Sequence, residues 1–241
     1  KTEQVVSFKN SNGEKIIISA LPNLEQNNVI ITVNYPEIAD VMKQQIDLLK
    51  NPSDWDYLLY LETTKSGQLI NQVIPGSGSI LLNFKIELLK CALSNKAVLL
   101  ELPEKDLAAT IDVLQHVSMR QTLDSIELLA PEKRQESGIK MFGINSLLDS
   151  QDEPTPALLD RLNNSGTLLI KNIHFMHPTT QESLAEFIKY GYYRPIKSDK
   201  KLVANVRIIC YTTQNLPLLI KECRFSEALF EQLKQTTLRM P

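Results

Sequence analysis

Five short apolar runs alternate with five helix-like stretches, and this alternation limits the fold more than any other feature of the chain. The runs are Tyr57 to Leu61, Ala97 to Leu102, Ser125 to Leu129, Thr167 to Ile170 and Leu202 to Tyr211. Gly67 to Ile74, Ile80 to Leu93, Lys105 to Val117, Thr180 to Tyr190 and Ser226 to Lys234 are patterned as helices. Each connection is long enough for a crossover, so the strands are expected to lie mostly parallel, in one sheet covered on both faces. With 43% hydrophobic residues in 241, there is apolar mass enough for such a core.

The first 34 residues read differently. Gln4 to Phe8 and Lys15 to Ser19 flank Asn12-Gly13, a hairpin signal, and Val29 to Val33 is a third β-like run. Residues 1–34 are therefore expected to be a separate β segment or the end of an upstream domain, with residues 35–241 forming the α/β core. Tyr35-Pro36 opens a helical pattern in which Ile38, Met42, Ile46 and Leu49 share a face.

Composition excludes several classes. A net charge of −2 gives the chain as a whole no attraction to nucleic acid. Three widely spaced cysteines, Cys91, Cys210 and Cys223, are no disulfide framework and imply a reducing, cytoplasmic setting. No apolar run approaches the ~20 residues of a membrane span. The chain starts without Met and stops at Leu238-Arg239-Met240-Pro241, as a piece of a longer protein would.

The downstream motifs carry a family resemblance. Gly166-Thr167-Leu168-Leu169-Ile170-Lys171-Asn172-Ile173 resembles G-T-L-F-L-D-E-I, the Walker B segment of sigma-54 activators. Val206-Arg207-Ile208-Ile209-Cys210-Tyr211-Thr212-Thr213 resembles the sensor strand V-R-I-I-A-A-T-N. Arg224 to Leu233 resembles R-F-R-E-D-L-Y-Y-R-L, and Leu238 to Pro241 resembles I-R-L-P. The blocks keep the family's order and spacing. The resemblance implies an α/β, three-layer P-loop NTPase-like (AAA+) core with a mostly parallel sheet, the helical lid being absent.

It also implies positions for the chemistry, and those positions are substituted. Pro52-Ser53-Asp54 followed by Tyr57 to Glu62 aligns with P-S-D-A-T-V-L-I-T-G-E, which puts the P-loop glycines at Leu61, Thr64 and Ser66 and its lysine at Gly67, followed by Gln68. Lys65 lies two residues early. A P-loop needs glycines to wrap backbone amides round phosphate and a lysine to reach the outer phosphates. The two Walker B acids, which hold magnesium and polarise water, fall on Lys171 and Asn172. The sensor asparagine falls on Thr213, and the two trans-acting arginines on Ser226 and Gln232. No G-A-F-T-G-A string, the sigma-factor contact loop of that family, occurs; the aligned stretch is Leu147 to Asp152.

The expectation is a pseudo-ATPase domain of a bacterial transcription regulator, without cofactor, acting as an assembly or regulatory module. Its partners would be other domains of the same regulator, with DNA reached through a domain outside this chain and no membrane, and the fragment would be a monomer or dimer. The alternatives are a sensor of a nucleotide or cyclic dinucleotide in the former ATP cleft, and an ATPase with displaced residues served by Lys65 and the loop Pro75-Gly76-Ser77-Gly78-Ser79. His174 and His177, three apart, lack a third and fourth metal ligand at convincing spacing. Tyr190, Tyr192 and Tyr193 stand beside Arg194 and Lys197, either a surface turn or a stacking platform.

Overall fold

The computed structural model describes the backbone of Gln4–Lys9, Lys15–Asn23 and Asn28–Asn34, and residues 53–76, 78–118, 120–129, 134–144 and 155–240. The expected helix over residues 35–49 and most of the polar stretch Ser146 to Pro156 lie outside them. The chain divides into two compact units, residues 1–90 and 91–240, so the expected boundary after residue 34 falls inside the first.

In the first unit, β1 (Gln4–Lys9), β2 (Lys15–Asn23) and β3 (Asn28–Asn34) form an antiparallel sheet in the order β1-β2-β3. Two helices follow, α1 (Asp54–Thr63) and α2 (Lys65–Val73). The strand expected over Tyr57 to Leu61 is thus a helix. Ser53 explains this: its N–H and hydroxyl both donate to the Asp56 carboxylate, at 2.7 and 2.6 Å, a capping box that starts a helix at Asp54. Helix α3 (Ser79–Leu93) runs on past the division between the units.

The second unit is built on a five-stranded, all-parallel sheet. In chain order it contains β4 (Val98–Glu101), α4 (Glu104–Val117), β5 (Thr122–Glu127), α5 (Arg134–Phe142), the short α6 (Leu158–Arg161), β6 (Gly166–Lys171) and α7 (Pro178–Tyr190). There follow the hairpin β7 (Tyr192–Tyr193) and β8 (Leu202–Val203), then β9 (Arg207–Tyr211), α8 (Leu216–Lys221), α9 (Glu227–Leu233) and β10 (Thr237–Arg239). The expected single strand Leu202 to Tyr211 is two strands belonging to different sheets. The strand order is β10-β4-β9-β6-β5. The α/β, mostly parallel architecture inferred from alternation is the one observed.

The central strands are buried on both faces, as parallel strands under helices must be. All five residues of β9 are buried, and so are Gly166 to Ile170 of β6. Leu168, Ile170, Ile208 and Cys210 join Leu184, Phe187, Leu229 and Leu233 of α7 and α9 in one core. Each such side chain contributes roughly 1.5–3 kcal/mol on burial.

The polar member of β9 is Arg207, 1% exposed. Its guanidinium donates to the carbonyl oxygens of Cys91 (2.5 Å) and Ala92 (3.3 Å) at the end of α3 and of Leu114 (3.4 Å) near the end of α4. A cation there meets the negative ends of two helix dipoles. Helix α7 carries Pro178 in its first turn and ends at Gly191 in the left-handed region (φ 73°), a pairing that sets both its ends.

Candidate functional site

Sheet topology locates the cleft. After β4 the chain crosses to β5 at one edge, and after β9 it crosses the other way to β10. In an open parallel sheet such a reversal leaves a crevice outside the carboxyl ends of the two strands. A cavity of about 590 Å³ lies there, lined by Glu101, Leu102 and Pro103 after β4, Thr212 to Asn215 and Pro217 after β9, and Arg239 of β10. The whole lining comes from the second unit.

The connection from β4 to α4 occupies the place of a phosphate-binding loop, which joins a strand to a helix through a glycine-rich turn. Here the connection is two residues, Leu102 and Pro103. Two residues cannot curl round a phosphate, and neither is glycine. Pro103 is the N-cap of α4 and has no N–H to offer. Glu104 and Asp106 stand in the first turn of α4, so carboxylates already face the positive end of the helix where phosphate would bind. Lys105 is the basic residue of that turn and is exposed. In the cleft lining, Arg239 donates from Nε to the Glu101 carboxylate.

The residues aligned with the P-loop from sequence lie elsewhere. Leu61 is in α1, Thr64 is the N-cap of α2, and Lys65, Ser66 and Gly67 form its first turn. Thr64 Oγ1 accepts from the Gly67 N–H at 2.9 Å and donates to the Tyr60 carbonyl at 2.8 Å. A Cβ on Gly67 would lie 2.2 Å from the Leu61 carbonyl oxygen, so this glycine lets two helices meet. These residues make a helix junction, and no strand precedes them as a P-loop requires. The same two helices precede Pro75, Gly76, Gly78 and Ser79, and Ser79 opens α3.

The remaining positions fall near the crevice. Lys171 ends β6, in register between Glu127 of β5 and Tyr211 of β9. Asn172 follows in the left-handed region (φ 57°) and opens a single 3-10 turn, Ile173–Phe175. Neither side chain can act as an anionic magnesium ligand. His174 Nδ1 and Thr212 Oγ1 share a hydrogen bond of 2.9 Å, and Thr212 also accepts from the Gln214 N–H at 3.0 Å. The His174–Thr212 bond ties the loop after β6 to the cleft wall. Thr213 is exposed on that wall. His177 bonds instead to Thr179 at 2.8 Å, and among the described residues no group of His, Cys, Asp and Glu is placed to hold a metal.

Ser226 has a structural task. It is the N-cap of α9, its Oγ accepting from the Leu229 N–H at 3.4 Å, while its own N–H donates to Gln181 Oε1 at 2.7 Å. Gln232 lies half-buried on α9. Arg224 is exposed and pairs with Glu222 at 3.0 Å. Sequence reasoning passed over Glu101, Leu102, Pro103 and Arg239, because their meeting depends on β4 pairing with β10, 138 residues apart.

Comparison with known proteins agrees with this architecture. Residues 155–239 match the model of the Sigma-54 interaction domain family, a domain of bacterial transcriptional regulators. Over 78 residues the chain is 37% identical to the HTH-type transcriptional regulatory protein TyrR of Enterobacter agglomerans, covering 32% of this chain and 15% of that protein. It is 28% identical over 78 residues to the Psp operon transcriptional activator of Escherichia coli K12, covering 32% and 24%. NtrX from Brucella abortus, crystallised in complex with ADP, superposes with a TM-score of 0.57 and 20% identity, over 80% of this chain and 43% of that one. That last likeness is one of fold. The match to TyrR thus spans about a sixth of that relative's length.

Proposed function

We propose that this chain is a pseudo-ATPase segment of a bacterial transcription regulator, keeping the Sigma-54 interaction fold as an assembly or regulatory module without hydrolysing ATP. The observation that carries the reading is the two-residue connection Leu102-Pro103 between β4 and α4. Without a glycine turn there are no converging amides for the phosphates, and the Glu101–Arg239 pair lines the cleft beside it. Lys171 and Asn172 stand where a metal-binding acid pair would be needed, and Ser226 caps its helix where an arginine would be needed.

A cyclic dinucleotide or other phosphate-bearing signal fits this cleft poorly for the same reason. Glu101 lines the cleft, and Glu104 and Asp106 stand in the first turn of α4 beside it, so three carboxylates disfavour a phosphate there. Calorimetry with magnesium-ATP at sub-millimolar concentration tests the reading. No heat of binding is expected. A binding heat that disappears in the Lys105→Ala protein would overturn it. Without arginines at Ser226 and Gln232 to reach a neighbour's site, the fragment is expected to scatter light as a monomer or dimer. A hexamer would contradict this.

A further inference from the structure

We infer that the β7–β8 hairpin and the end of α7 form a docking surface for the sugar–phosphate backbone of duplex DNA, a reading that does not depend on the fate of the ATP cleft. Glu186 to Val203 holds five cations, Lys189, Arg194, Lys197, Lys200 and Lys201, against two acids, Glu186 and Asp199, in a chain whose net charge is −2. The positive charge is therefore local, which the whole-chain balance conceals.

Three of these cations lie over aromatic rings. Tyr190 and Tyr192 stack with centroids 5.7 Å apart and planes 16° from parallel. Lys201 Nζ lies 4.3 Å from the Tyr192 centroid, Lys189 Nζ lies 5.0 Å from that of Tyr190, and the Arg194 guanidinium is 5.5 Å from Tyr192. Glu186 anchors the group from α7, accepting from the Tyr192 hydroxyl at 2.5 Å and from Arg194 at 2.6 Å. Among the described residues Lys189, Lys200 and Lys201 have no carboxylate within ion-pair distance. Lys189 and Lys201 are thus seated on rings, which lowers the ordering cost of meeting an anion.

The same arrangement says which anion. Both rings already carry a lysine, and they stack on each other, so bases have no free platform of the kind that single-strand binders present. What remains is a surplus of ammonium groups beside an exposed edge, with Tyr190 58% and Val203 78% exposed. Such a surplus without a base platform suits a dense, continuous line of negative charge, which duplex phosphates supply at about 3.4 Å of axis per strand. The scattered carboxylates of an acidic peptide match it less well.

Fluorescence anisotropy with a labelled duplex of arbitrary sequence tests the inference. At low salt the chain should bind, with log K falling against log salt at a slope of roughly −2.7, the value for three phosphate contacts. The Lys189→Gln/Lys200→Gln/Lys201→Gln protein should bind at least about tenfold more weakly, and Tyr190→Leu, which keeps every charge, should weaken binding severalfold. Circular dichroism melts identify any variant that fails to fold, and Lys201→Gln alone then replaces it in the comparison. Three results would each overturn the inference: no binding at low salt, full affinity in the lysine variants, or polyglutamate displacing the probe as well as unlabelled duplex does.

Discussion

Arg239, the last residue of β10, donates its Nε–H to the carboxylate of Glu101, the last residue of β4 and its register partner in the sheet. Both residues line the cleft, next to the Leu102-Pro103 connection where a nucleotide-binding member of this fold would need an open, glycine-lined turn. The pair supplies a protein-to-protein contact between the inner strand β4 and the edge strand β10.

The pair should add little stability, because the Arg239 side chain is 67% exposed and water screens it. A double-mutant cycle with Glu101→Gln and Arg239→Gln, read by urea unfolding, should give a coupling of about 0.2–1 kcal/mol. A coupling several times larger would mean that the cleft mouth is far drier than the exposure implies.

Arg207 should behave in the opposite way. Burial among carbonyls pushes its guanidinium down to about 10, since desolvation penalises the charge. Its bonds to Cys91, Ala92 and Leu114 nevertheless satisfy oxygens at the ends of two helices. Arg207→Leu removes this donor from the Cys91 and Ala92 carbonyls, while that of Leu114 still accepts from the Ser118 N–H at 3.2 Å, at a cost of about 2–5 kcal/mol in urea unfolding. A loss below about 1 kcal/mol would show that water or a backbone shift replaces the guanidinium.

The hairpin should loosen in acid. The Tyr192 hydroxyl, and after it Arg194, hold the Glu186 carboxylate below its ordinary range. A carboxylate with a depressed folded value contributes order that is complete above the unfolded value, about 4.3, and is lost as pH falls through the folded one. The Tyr192 ring resonances should therefore shift below about pH 4, and the step should vanish in Glu186→Gln. A step that persists in that variant would assign it to another acid.

Two glycines in the left-handed region should differ in their tolerance of alanine. At Gly191 (φ 73°) no atom lies within 4 Å of an added Cβ, so Gly191→Ala carries only backbone strain, about 1 kcal/mol. At Gly143 (φ 73°) the Cβ would lie 2.6 Å from the Thr155 carbonyl oxygen and 2.9 Å from the Ala157 nitrogen. Thermal unfolding should drop further for Gly143→Ala than for Gly191→Ala. Equal drops would mean that the segment at Thr155 gives way without cost.

The strands and helices from Gly166 onward were legible because their apolar periodicity and motif order agree: β6, α7 and α9 stand within a residue or two of their expected bounds, and β9 ends where expected but begins five residues later, at Arg207. Tyr57 to Leu61 misled because five apolar and aromatic residues suit a buried strand or a helix equally. The capping pair Ser53 and Asp56 was the local signal that separates the two. Helix α5 escaped notice because Arg134 to Gly138 is polar and shows no apolar stripe, and α8 is a short helix marked by Asn215 and Pro217 alone. The cleft was the least legible part. Its position follows from β4 lying between β9 and β10, a pairing that no local pattern contains, and without it the P-loop register rested on a gapless match to the wrong run.

Phosphate release from magnesium-ATP by the purified chain, followed over a range of protein concentrations, bears most directly on the proposal that the chain does not hydrolyse ATP. Release equal to that of buffer at every concentration is the predicted result. Turnover that rises with protein and is abolished by Lys105→Ala or Lys65→Ala would contradict the account, because a loop of Leu102 and Pro103 would then be serving a working nucleotide site.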